Sequence, residues 1–143
     1  MPDSGTDIEL LAQLYEEHGP SLHRLTVMLG AEKGAENIQR AALKSLGHRL
    51  HSVVDPLERL EYLQEQVVHL SRSTRGSNSV LSLPKVEDHR QNQILDGIRS
   101  LPIRFGEILI ISHYLAVYGP ELAHILRMTI RTTNTRLEEA LNR

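Results

Sequence analysis

The stretch 119-GPELAHILRMTIRTTNTRLEEAL-141 decides how the rest of the chain is read. Leu122, Ala123 and Leu126 fall at the spacing of one helix face, the pattern stops at Arg127-Met128, and it resumes with Ile130, Leu137, Ala140 and Leu141. Gly119-Pro120 suits a helix start, with Gly at the cap and Pro in the first turn, where its missing N–H leaves nothing unsatisfied. Thr129 is a second N-cap, its hydroxyl placed to accept from the turn that follows. The stretch predicts two helices joined by a short turn, with those apolar residues facing inward. The outward side of the last helix then carries Arg131, Thr132, Asn134, Thr135 and Arg136, with no carboxylate before Glu138. These side chains have the donors and acceptors that meet base edges and phosphates, and a helix–turn–helix would deliver them to a groove. Polar residues on a terminal helix are also an ordinary solvated face, so spacing alone leaves both readings open.

Upstream, helical patterning continues. Pro102 opens an apolar segment with Phe105, Ile108, Leu109, Ile111 and Leu115, and Ile94, Leu95, Ile98 and Leu101 form a shorter one before it. The run ILII at 108–111 reads as core. Nearer the start, Leu11, Leu14, Tyr15, His18, Leu22, Leu25 and Leu29 step by three or four, with Thr6 or Asp7 as cap, Pro20 bending or restarting the helix and Gly30 ending it. Ala35, Ile38, Ala42, Leu46 and Leu50 give a second stripe. Asp55, Pro56 and Glu58 form a capping-box start for a third helix with Leu57, Leu60, Leu63, Val67 and Leu70 on its buried side. From Ser71 the chain turns Ser-rich, with Gly76 and Pro84 and no helical period, which reads as a linker. The expected class is all-α: two small helical bundles, 7–75 and 91–143, joined by a linker at 76–90.

The 143 residues are 40% hydrophobic and 24% charged, the composition of a globular chain, with few aromatics and hence an aliphatic core. The formal charge of −2 argues against a surface that grips phosphates all over, and Gly119 to the end carries four Arg against three Glu. The absence of cysteine excludes disulfides, thiolate zinc sites and thiol catalysis. No apolar run has the length of a membrane span and the acidic start lacks a signal-peptide core, so the expected location is the cytoplasm. His48 and His51 stand near a helix end without the further ligands a metal needs, and no phosphate loop, GxGxxG, GxSxG or HExxH occurs. No enzyme, metal or cofactor is expected.

Taken together, the segments resemble the extracytoplasmic-function sigma factors of bacterial RNA polymerase. In the second half the resemblance rests on Leu101-Pro102, Glu107, ILII, Glu121-Leu122-Ala123, Thr129 and Thr135-Arg136-Leu137, in the order of that family's promoter −35-binding region. In the first half it rests on LYEEHGPSLHRL, on GAEKGAENIQRAALKSL, which follows the polymerase-binding helix, and on DPLERLEYLQEQVVHLSR, which follows the helix that meets the −10 element. The resemblance implies a region 2-like first bundle and a region 4-like helix–turn–helix second bundle. It implies RNA polymerase core and promoter DNA as partners. Ala35, Glu36, Asn37, Arg40 and Leu43 would touch the polymerase; Arg127, Thr129, Arg131, Thr132, Asn134, Thr135 and Arg136 would touch DNA.

The chain also departs from that pattern. In the polymerase-binding helix the usual Asp, Gln, Glu and Trp positions hold Asn37, Arg40, Ala41 and Gly47, so acidic and aromatic anchors are missing. The third helix offers Tyr62 and Arg59 to unpaired bases, but Gln64 and His69 stand where the family has Arg and Asn, and Glu58, Glu61 and Glu65 make the face acidic. Arg127 replaces the Gly of the turn, a strained choice if that position needs positive φ. These departures support an alternative: a degenerate sigma-like interaction protein that binds an anti-sigma factor or other regulator, or pairs with a second copy, without melting promoters. A third expectation is that the acidic helix around Glu58–Glu65 packs on the arginines of the last helix and hides them.

Overall fold

The computed structural model describes residues 4–75 and 88–142. They form seven α-helices and one 3₁₀ turn: α1 Ser4–Met28, the turn Glu32–Gly34, α2 Ala35–Gly47, α3 Pro56–Arg75, α4 His89–Arg99, α5 Ile103–Leu115, α6 Gly119–Leu126 and α7 Ile130–Leu141. No strand occurs among the described residues, and the ambiguous ILII run is the centre of α5. Most of the expected linker, 76–87, lies outside the described residues. Two boundaries differ from expectation: α3 continues through Ser71–Arg75, and α1 begins at Ser4, which puts Asp7 inside its first turn rather than at the cap.

Helix ends follow their local chemistry. α1 stops at Gly30, whose φ of 86° is natural for glycine; Gly30 N–H donates to the Val27 carbonyl and Ala31 N–H to the Thr26 carbonyl, the paired bonds that close a helix C-terminus. Pro20 does not break α1; close by, the buried Gln39 of α2 donates its side-chain amide to the Gly19 carbonyl at 3.0 Å and ties the two helices together. Asp55 caps α3 by accepting from the Leu57 N–H at 2.7 Å. Asp88 does the same for α4 through Arg90 N–H at 2.8 Å.

α1, α2 and α3 pack on one another, with Leu25, Leu29, Leu46, Leu63, Val67 and Val68 essentially solvent-free. In the second half α5 packs against α7 and α6 against both, around Phe105, Ile108, Ile111, Leu122 and Ile125. α5 is buried on most sides, including Glu107 and Ser112. The halves meet where α3 lies against α6, and their buried residues form one connected apolar cluster. α3 is thus covered on two sides. Its buried residues are Leu63, Val67, Val68 and Ser71, while Leu57, expected in the stripe, is exposed in the first turn. Tyr15 is likewise exposed and lies along its own helix beside Gly19. No helix of the described residues is long and apolar enough to cross a membrane.

Candidate nucleic-acid interface and the seam beside it

α6 and α7 are joined through Arg127, Met128 and Thr129. At the start of α6, Gly119 has φ of 56°, outside the helical range, so Pro120 is the first residue whose locked φ suits the helix. α6 ends with Arg127 N–H donating to the His124 carbonyl and Met128 N–H to the Ala123 carbonyl. Those bonds require the intervening residue to be left-handed, and Arg127 is, at φ 54°, ψ 47°. The Gly-to-Arg departure therefore falls where a Cβ is strained. Ala116 closes α5 in the same way at φ 52°.

Thr129 caps α7: its Oγ1 accepts from the Thr132 N–H at 3.1 Å and donates to the Thr132 hydroxyl at 2.8 Å. The helix is seated by Thr133 and Ala140, which are buried, and by Leu137, which packs at the edge of the core. The Thr133 hydroxyl is satisfied internally, donating to the Thr129 carbonyl. Ile130 and Leu141 were expected on this seat and are not there: they are 49% and 68% exposed, because the seat is only as long as the stretch of α7 that α5 and α6 cover.

Arg131, Thr132, Asn134 and Thr135 are exposed together on the opposite side. The Arg131 side chain makes no hydrogen bond or ion pair with any described residue. Arg136 is half-buried and turned back, its Nη1 3.5 Å from the Met128 sulfur. Thr129 is exposed, but its hydroxyl is engaged in the cap. Arg127 is engaged elsewhere. Its Nε and Nη2 both lie 2.7 Å from Glu65 Oε1 of α3, and His124 stands 3.5 Å from the other oxygen. Of the seven residues expected to meet DNA, four are exposed together on α7, with the Thr132 hydroxyl accepting from Thr129, while Thr129 is engaged in the cap, Arg136 on Met128 and Arg127 on Glu65.

On α2, Glu36, Asn37 and Arg40 are exposed and Leu43 half-buried, whereas Ala35 is buried at the helix start. The residues of α3 matched to strand capture are committed to the fold. Arg59 donates to the Val53 carbonyl at 2.7 Å and the Leu50 carbonyl at 3.3 Å, and the Tyr62 hydroxyl is 2.5 Å from Ser45 Oγ. His51 lies 3.7 Å from Asp7, and no cluster of three metal-ligating side chains occurs among the described residues.

The seam between the halves holds a second ion pair. Arg72 of α3 donates through Nε to Glu107 of α5 at 2.8 Å and through Nη1 to the Leu126 carbonyl at 3.4 Å; the side chains are 29% and 5% exposed. Tyr114 of α5 also reaches the Ser21 carbonyl of α1 at 3.3 Å. Two clefts open along this seam, and Arg127 lines both. One, about 480 Å³, is acidic, with Glu58, Glu61 and Glu65 facing Arg49, Tyr62 and His124. The other, about 410 Å³, is basic, with Arg72, Arg104, Arg127 and Arg136 around Glu107 and His69. Burial, then the charges of Arg127 and Arg72, hold the His69 pKa below its ordinary 6.5 against the opposing pull of Glu65 and Glu107. The His69 Nε2 is shielded from solvent and has no hydrogen-bond partner among the described residues, an arrangement that costs about 1–3 kcal/mol.

No family model, no curated protein and no solved structure matches this chain.

Proposed function

We propose that the chain is a sigma-factor-like transcription regulator, organised as two docked helical units, the second ending in a helix–turn–helix that contacts promoter DNA. In this reading RNA polymerase core is met through the exposed side of α2, at Glu36, Asn37, Arg40 and Leu43. The observation that carries the proposal is the open patch Arg131, Thr132, Asn134 and Thr135 on a helix fixed by its Thr129 cap and its Thr133–Ala140 seat. A capped and seated helix with polar side chains outward is what groove contact needs. The collinear sequence resemblance to extracytoplasmic-function sigma factors supports the same assignment and points to the bacterial cytoplasm. Arg131→Ala is expected to weaken binding to duplex DNA at low salt. Unchanged affinity would remove the α7 patch from the reading.

A second reading is favoured by the engagement of Arg59 and Tyr62 in the fold and by the Glu65–Arg127 tie. Residues suited to promoter melting are then structural, and the chain is a sigma-like interaction protein held by an anti-sigma factor, another regulator or a second copy. Binding to purified core polymerase separates the two. Saturable binding supports the first, and its absence together with self-association or tight capture by a purified regulator supports the second.

A further inference from the structure

The basic cleft between α3, α5 and the α6–α7 turn has no place in the DNA-contact reading, which uses the outer face of α7. Four guanidinium groups reach it: Arg72 from α3, Arg104 from α5, Arg127 from the turn and Arg136 from α7. Two are neutralised, Arg72 by Glu107 and Arg127 by Glu65. The other two are not. Arg104 lies 4.6 Å over the Phe105 ring and Arg136 meets only the Met128 sulfur, a weak acceptor, and neither has a carboxylate partner among the described residues. His69 lines the same wall and brings no negative charge to it. The cleft therefore carries an excess of about two positive charges from groups on different helices, with planar forks suited to oxyanion oxygens.

We infer that this cleft binds a phosphoryl group, with Arg104 and Arg136 as its principal donors and Arg72 and Arg127 as flanking ones. A phosphoryl group brings about −1.5 to −2 charge and three acceptor oxygens, which matches the two unpaired guanidinium groups. The cleft is lined from α3, α5, the turn and α7 and does not require α7 to read DNA. The phosphoryl group is that of a free phosphate ester or of a nucleic-acid backbone bent into the seam.

Titrating the full chain with inorganic pyrophosphate, and separately with a short DNA duplex, while following the His69 ring resonances distinguishes these sources. Pyrophosphate is expected to perturb His69 saturably, and Arg104→Ala or Arg136→Ala to weaken it about tenfold each, the loss of one charge-assisted contact. Arg131→Ala, outside the cleft, is expected to leave pyrophosphate affinity unchanged. If duplex binding also falls with Arg104→Ala and pyrophosphate competes, the source is the backbone; if Arg104→Ala spares duplex binding, it is a free phosphate ester. No saturable change at His69 with either probe up to about 10 mM overturns the inference. Equal weakening by Arg131→Ala and Arg104→Ala also overturns it, since that pattern is diffuse attraction rather than a site. Loss of DNA binding in Arg131→Ala with pyrophosphate binding intact leaves the cleft standing, so the two readings fail separately.

Discussion

Arg127 is held left-handed and bonded across the seam at once, and the two effects are separable by substitution. A Cβ in the left-handed region costs about 1–2 kcal/mol, of which glycine recovers part, since its unfolded chain is freer by about 0.5–1 kcal/mol. Arg127→Gly therefore gains about 0.5–1 kcal/mol in the backbone. Both Arg127→Ala and Arg127→Gly lose the Glu65 pair, whose side chains are 49% and 12% exposed; solvent screening limits it to about 0.2–1 kcal/mol. Arg127→Ala should lower stability by the ion pair alone. Arg127→Gly should return close to wild type, melting about 2–4 °C above Arg127→Ala for a chain of this size. Ala116→Gly, at the same left-handed geometry on an exposed residue without a seam contact, should show the backbone gain by itself. Thermal unfolding by far-UV circular dichroism at low and about 1 M salt completes the separation. Salt should close the gap between wild type and Arg127→Ala and leave the gap between Ala and Gly. Equal melting of Arg127→Ala and Arg127→Gly, with Ala116→Gly stabilised, would show that the turn does not hold Arg127 at positive φ.

Breaking the deeper pair costs more. Arg72→Ala should destabilise by about 3 kcal/mol, the low end for a buried ion pair because Arg72 keeps 29% exposure, read as a drop of roughly 10 °C in melting temperature. Ile130→Ser, by contrast, should change stability by less than about 0.5 kcal/mol in denaturant titration, since the side chain is 49% exposed; a loss of 2 kcal/mol or so would place Ile130 back on the seat. His69 gives the pH dependence. Its folded pKa lies below 6.5, so its contribution is fully present above that pH; as pH falls, the unfolded chain takes up the proton first and stability declines toward the folded pKa. Subtracting the pH profile of His69→Gln from that of wild type should leave this decline, and a flat difference below pH 6.5 refutes the shift.

The class of fold was legible because the helices advertise themselves locally. Asp55-Pro56, Gly30, Gly119-Pro120 and Thr129 mark helix ends through bonds made within a few residues, and each marks one in the structure. The stripes of α2 and α5 were legible for the same reason. What was not legible depends on partners distant in sequence. The period of α7 includes Ile130 and Leu141, but only the neighbouring helices decide that the seat is confined to Thr133, Leu137 and Ala140. Leu57 and Tyr15 failed likewise at the margins of their stripes. Charge alone led to the expectation that acidic α3 packs on the arginines of the last helix. Glu65 of α3 instead meets Arg127 in the turn, not Arg131 or Arg136 on α7, a pairing that no local pattern marks because 62 residues separate the partners. The basic cleft was invisible for a compound reason: its four arginines come from α3, α5, the turn and α7, and no local pattern gathers them.

The position of Arg127 makes DNA contact and seam closure compete for one side chain. A guanidinium with Nε and Nη2 on Glu65 cannot also face a phosphate with those donors, so if Arg127 contributes to DNA binding it does so only after leaving α3. Thermodynamic linkage then requires that DNA and the seam oppose each other by the same free energy. The pair limits that coupling to about 1 kcal/mol, so Glu65→Gln should tighten duplex binding by at most about fivefold, with the increase abolished in the Arg127→Ala background. Removal of a negative charge from α3 would by itself also favour DNA, but that effect does not need Arg127 and survives its substitution. An increase that persists in Glu65→Gln, Arg127→Ala is therefore general electrostatics, and one that vanishes identifies the tie between the halves as a brake on the α7 face.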